Sequence, residues 1–129
     1  MRKVLIWVAL AAVMLIGCTP NGENNGEAVY MNITAEQAKQ IMDTQSGYVI
    51  LDTRTQEEYD EGHIPGAILI PYDEIMEKAE SVLTDKNQLI LVYCRSGRRS
   101  KLASEDLVKL GYTNIREFGG IIDWPYEVV

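Results

Sequence analysis

The sequence predicts an α/β fold, a central mostly parallel sheet with helices on both faces. Short apolar runs at residues 48–51, 67–70, 89–93 and 115–118 recur along the chain and read as buried strands. Segments with helical caps and apolar stripes separate them, and that alternation is the mark of crossover connections. Two of the runs end at chemistry-bearing residues, Asp52 and Cys94, and ligand sites in such sheets form at the carboxyl ends of the strands.

Taken in order, the folded part begins near Val29. Thr34-Ala35-Glu36-Gln37 is a capping box that opens a helix with Ala38, Ile41 and Met42 facing inward. The strand at 48–51 ends at Asp52. Residues 55–60 form a polar helical turn stopped by Gly62, and His63-Ile64-Pro65-Gly66 is a turn before the strand at 67–70. Residues 72–79 are helical, with Ile75 and Met76 predicted to face in. Residues 89–93 are the central strand. A helix over 100–110, with Leu102, Ala103, Leu107 and Leu110 on its apolar stripe, ends at Gly111 in a C′ position. The last strand, 115–118, leads through Gly119-Gly120 to Trp124, a core anchor.

The 129 residues accommodate one domain and a tail. A net charge of −7 excludes nucleic acid as an expected partner, because a phosphate backbone needs a basic surface. The N-terminal segment is read as a signal peptide. Arg2 and Lys3 precede an uncharged apolar run over 4–16, which has the length of a signal h-region and is too short for an ordinary membrane span. Residues 18–28 are polar, with Gly and Asn and no apolar period, and read as a flexible tether. The domains expected are therefore 1–17 signal peptide, 18–28 tether and 29–129 folded domain.

The chemistry concentrates in Cys94-Arg95-Ser96-Gly97-Arg98-Arg99-Ser100. A thiol at a strand end, followed by a short loop, three arginines and a helix N-terminus, sits where both the helix dipole and the guanidinium groups favour thiolate. Backbone N–H groups of such a loop can hold an anion. The alternatives are an inert core thiol for Cys94 and a solvated helix face for the arginines. Asp52, Arg54 and Glu58 read as a structural ion-pair set. One available Cys and the single histidine, His63, are too few for a zinc site, so neither metal nor cofactor is expected.

With these residues placed, the chain resembles a single-domain rhodanese from about residue 33 to 124. Leu51-Asp52-Thr53-Arg54 with Glu58-Tyr59 is similar to that family's D-x-R…E-Y segment, Gly62-His63-Ile64-Pro65-Gly66-Ala67 to its G-H-I-P-G-A turn, the Cys94 loop to its active-site loop, and Gly119-Gly120 with Trp124 to its G-G-x-x-x-W. The resemblance implies a rhodanese-like sheet of about five strands and sulfur transfer through a Cys94 persulfide, from thiosulfate or a similar anionic donor to cyanide or a thiol. It implies a loop of Arg95, Ser96, Gly97, Arg98 and Arg99 around the substrate. Arg95 and Arg99 lead as orienting groups, Arg98 ranks below them, and His63 is structural. Leu15-Ile16-Gly17-Cys18 resembles the lipobox of bacterial lipoproteins. That likeness implies cleavage before Cys18, acylation (palmitate) of Cys18, and an extracytoplasmic domain tethered to a membrane. A plain secretory signal, an uncleaved anchor and a Cys18–Cys94 disulfide are the alternatives there.

Other activities remain open at the level of sequence. Phosphatases on a similar fold use C-x5-R, whereas Arg99 stands in a C-x4-R arrangement and Ser100 takes the next position. The loop is thus one residue short for a phosphate, and sulfur transfer leads. Arsenate reduction, an extracytoplasmic sulfur carrier or thiol-redox protein, and a non-catalytic regulatory module are the other readings. A monomer is the expected state.

Overall fold

The structure, a computed structural model, describes residues 29–129. The expected signal peptide, the tether and Cys18 lie outside the described residues. Strand β1 (Met31–Asn32), helix α1 (Ala35–Thr44), β2 (Val49–Asp52), α2 (Gln56–Glu61), β3 (Ile68–Leu69), α3 (Ile75–Val82), β4 (Ile90–Cys94), α4 (Arg98–Lys109) and β5 (Ile115–Gly120) follow one another. Single 3-10 turns at Tyr72–Glu74 and Ile121–Asp123 join the series. The strands form one five-stranded sheet in the order β1-β5-β4-β2-β3, and every pair is parallel. The α/β architecture predicted from the sequence is the one observed.

Two apolar clusters cover the two faces of the sheet. Leu51, Ile90, Val92 and Ile115 pack with Ile75, Ala79, Ala103 and Leu107 from α3 and α4. Ile50, Leu91, Tyr93 and Phe118 pack on the opposite face with Ala38, Ile64, Ala67 and Trp124. Alternate residues of one strand thus enter opposite layers, as the pleat requires. All five residues of β4 are buried, the pattern of a central parallel strand closed on both faces.

Local signals explain most boundaries. The Thr34–Gln37 capping box forms as expected, and Thr55 with Glu58 makes a second one at the start of α2. Gly111 terminates α4 with φ +96°, the left-handed C′ position. The first strand, two residues long and exposed, carried no apolar run to announce it.

Two inward assignments are corrected. Met76 is 52% exposed and Leu102 is 39% exposed. In α3 the buried positions are Ile75 and Ala79, and in α4 they are Ser100, Ala103, Ser104 and Leu107. Each set follows an i, i+3, i+4 stripe, and Met76 and Leu102 stand one position off it. In α4 two small hydroxyl residues occupy the stripe, a substitution that a hydrophobic pattern cannot register.

Candidate active site

Cys94 is the last residue of β4, the central member of the strand order. Its neighbourhood is set by an irregularity between β4 and β5. Val92 pairs with Glu117, but Cys94 pairs with Gly120, so β5 carries one more residue than β4 over that interval. Such a bulge bends the strand that carries it. Here it brings Gly120 under the loop. A Cβ on Gly120 would lie 1.9 Å from the Arg95 carbonyl oxygen and 2.5 Å from Ser96 Cα, so no other residue fits.

The loop turns back at Gly97, whose φ of +110° is costly for any residue with a side chain. That conformation aims the Gly97 N–H at Cys94 Sγ, 2.9 Å away. Cys94 is itself fully buried. Burial alone pushes its thiol up, but hydrogen bonds from the Ser100 hydroxyl and from the N–H groups of Ser100, Gly97 and Ser96 outweigh it and leave the thiol below its ordinary value. The expectation of a loop that favours thiolate is met by backbone N–H groups and a hydroxyl, not by direct guanidinium pairing.

The three arginines differ in role. Arg95 and Arg98 are exposed. Arg99 is half-buried and held in a two-pronged pair with Glu58, Nη1–Oε1 2.8 Å and Nη2–Oε2 3.0 Å. That pairing draws Glu58 down to about 2. Arg99 therefore fastens α4 to α2. It also lies close enough to Cys94 for the thiolate to favour its charge further. Ser96 is exposed at the loop tip, and Gly97 is enclosed beneath it.

Asp52 and Arg54 form the buried pair expected of them, at 2.7 Å. Glu58 does not join that pair as predicted, because it engages Arg99 instead. Asp52 also accepts from Tyr93 Oη at 2.7 Å, and Tyr93 Oη accepts from the Ile64 N–H. Arg54 Nη2 donates to the Gly62 carbonyl at 2.7 Å. Asp52 and Arg54 thereby fix the 62–67 turn. His63 stacks on Tyr59 with ring centroids 3.8 Å apart, and its Nδ1 is 2.9 Å from the Tyr59 carbonyl oxygen. Its ring is thus engaged with Tyr59 on both counts, and Trp124 is buried in the core.

One buried group escaped the sequence reading. Glu117, on β5, is 1% exposed and accepts from Ser100 Oγ, Asn32 Nδ2 and the Gly119 N–H. Only the strand-internal position of an acid after Arg116 hinted at it.

Residues 34–125 match the family described as Rhodanese-like domain. The thiosulfate sulfurtransferase PspE of Escherichia coli (strain K12) is 41% identical over 73 residues, spanning 57% of this chain and 70% of that protein. Thiosulfate sulfurtransferase 18 of Arabidopsis thaliana is 37% identical over 103 residues, spanning 70% of this chain and 74% of that one. A solved structure described as rhodanese with anions from E. coli superposes with a TM-score of 0.60 at 38% identity, covering 64% of this chain and 96% of that one. A strand-end thiol cupped by loop N–H groups, a parallel five-stranded sheet and these likenesses agree: the chain belongs to the rhodanese-like domain family.

Proposed function

We propose that this protein is a sulfurtransferase that moves a sulfane sulfur through a persulfide on Cys94. The observation that carries the reading is the buried sulfur of Cys94 at the focus of loop N–H groups, with Gly97 N 2.9 Å away. Such donors stabilise an anion on sulfur as an oxyanion hole stabilises one on oxygen. The names of the two enzymes similar to this chain support thiosulfate as donor. The Cys94 thiolate attacks the outer sulfur of thiosulfate, the S–S bond breaks, and sulfite leaves with the electron pair. Cyanide or a thiolate then attacks the outer sulfur of the persulfide, and the electron pair returns to Cys94 Sγ. Arg95 and Arg98, exposed beside the loop, attract the dianionic donor. Arg99 shapes the site through Glu58, and with its fork so occupied it is poorly disposed to cradle a phosphate.

The N-terminal reading completes the proposal. Leu15-Ile16-Gly17-Cys18 behind an apolar run supports a lipoprotein acylated at Cys18, with residues 29–129 held outside the cytoplasm and acting as a monomer. The transfer reading is tested by thiocyanate formation from thiosulfate and cyanide. The protein forms thiocyanate and the Cys94→Ser variant does not; formation by a folded Cys94→Ser protein contradicts the mechanism.

A further inference from the structure

Among the described residues, the acids Asp52 and Glu117 are both buried, and they are held differently. Asp52 faces the buried guanidinium of Arg54 at 2.7 Å. Glu117, 1% exposed, meets Lys101 Nζ only at 3.7 Å, on a side chain half in solvent. A carboxylate so placed carries a large desolvation cost unless its oxygens are hydrogen-bonded, and both of them are. Oε1 accepts from Asn32 Nδ2 at 2.6 Å. Oε2 accepts from Ser100 Oγ at 2.5 Å and from the Gly119 N–H at 3.0 Å. One oxygen thus joins the first turn of α4 to the bulge of β5.

Those two segments flank Gly97. The Gly97 carbonyl oxygen lies 3.1 Å from Ser100 Oγ and accepts the Lys101 N–H at 3.3 Å, so Gly97 belongs to the same turn as Ser100. On its other side, a Cβ built on Gly97 would lie 3.6 Å from Gly119 Cα, so the loop rests directly on the bulge. That seating places the Gly97 N–H, which points at Cys94 Sγ from 2.9 Å. Hydrogen bonds weaken steeply with misalignment. A turn that lifts off the bulge therefore takes the donor off the sulfur.

We propose that Glu117 is a positioning residue: by tying Ser100 to Gly119 it seats Gly97 on the β5 bulge and keeps the Gly97 N–H on Cys94 Sγ. The inference rests on the reading of Cys94 as the sulfur that takes up and releases sulfane sulfur. The other charged and titratable groups around this tie are Lys101 of α4 and Tyr30 ahead of β1 on the Glu117 side, and Arg99 of α4 on the sulfur side. None of them bonds to Ser100 Oγ or to the Gly119 N–H.

Glu117→Gln and Glu117→Met both remove the charge, but only Gln keeps an acceptor oxygen for Ser100 and Gly119. A role through charge alone moves the two variants alike, whereas a role through the tie separates them. The measurement is thiolate absorbance against pH, each protein read against its own Cys94→Ser counterpart. The midpoint rises by about one unit in Glu117→Met, as loss of an N–H donor to the thiolate implies. In Glu117→Gln it stays at the parent's value or falls. Below these midpoints, sulfur uptake from thiosulfate is about threefold slower in Glu117→Met, because a tenfold loss of thiolate outweighs an about threefold gain in nucleophilicity.

No rise in Glu117→Met, or an equal rise in both variants, overturns the inference. If Glu117→Met does not fold, Glu117→Asp takes its place, since it keeps the charge and draws the acceptor back by one methylene. A rise in Glu117→Asp without one in Glu117→Gln supports the inference; no rise, or an equal rise in both, overturns it. If the parent protein takes up no sulfur from thiosulfate, the persulfide reading fails, and the midpoints still decide whether Glu117 holds the loop.

Discussion

The Cys94 thiol is held below its ordinary value by hydrogen bonds that small residues and backbone geometry aim at it. Gly97 turns an N–H onto the sulfur, and Gly120 yields the space in which the Arg95 carbonyl sits. Together they hold the loop close enough to the sulfur for the hydrogen bonds to overcome burial. The loss of transfer expected of Cys94→Ser is a residue-scale effect, because the hydroxyl keeps the shape of the site but cannot form a persulfide. Circular dichroism of that variant superimposes on the parent's; a lost spectrum means the substitution acted on folding. The strand-end position of Cys94 and the glycine turn after it were legible in the sequence, because Cys, Gly and Arg at a strand-to-helix junction have few other uses. Glu117 was not legible. A buried carboxylate between Arg116 and Phe118 looks like any surface acid until the bulge in β5 turns it under the loop. Arg99 was legible as a site residue but not as one already committed to Glu58, since that partner lies far away in sequence.

At the scale of elements, the Arg99–Glu58 pair joins α4 to α2. Its contribution has a defined pH window. The pair draws Glu58 from an ordinary 4.5 to about 2. A carboxylate whose folded value is depressed contributes stability that is complete above about 4.5 and is lost as pH falls toward about 2. Glu58→Gln preserves the capping box with Thr55, because Gln serves there as well as Glu, and removes only the ionic pair. The expected cost is about 1–3 kcal/mol at neutral pH, measured by urea denaturation, with a flatter loss of stability between pH 4.5 and 2. A variant as stable as the parent, with the same acid dependence, contradicts the clamp. The same scale explains which elements the sequence announced. β2, β4 and β5 are buried runs and were visible as such. The first strand is two exposed residues whose only ladder partner among the described residues is β5, and its existence is tertiary rather than local. Met76 and Leu102 are apolar yet stand off the buried stripes of their helices, and in α4 Ser100 and Ser104 fill that stripe.

At the scale of the molecule, an acidic body presents one basic loop at the carboxyl edge of its sheet. Under the proposed transfer, that contrast repels a small anionic donor elsewhere and draws it to Arg95 and Arg98. Placement of the domain beside a membrane is a separate proposal with its own test. Cys18→Ala abolishes labelling by a fatty acid analogue and releases the cleaved or unprocessed chain from the lipoprotein fraction; labelling that persists contradicts acylation at Cys18. The overall architecture was readable because parallel α/β order follows from the alternation of elements alone, whereas strand order was not, since residues 31–32 give no sign that they flank β5.

The most direct measurement of the central claim is the intact mass of the purified protein after thiosulfate treatment, and again after cyanide. A gain of one sulfur atom (~32 Da) that maps to Cys94 and disappears with cyanide is the expected result. An unchanged mass in the presence of excess thiosulfate, or a sulfur adduct that persists in the Cys94→Ser protein, would contradict it.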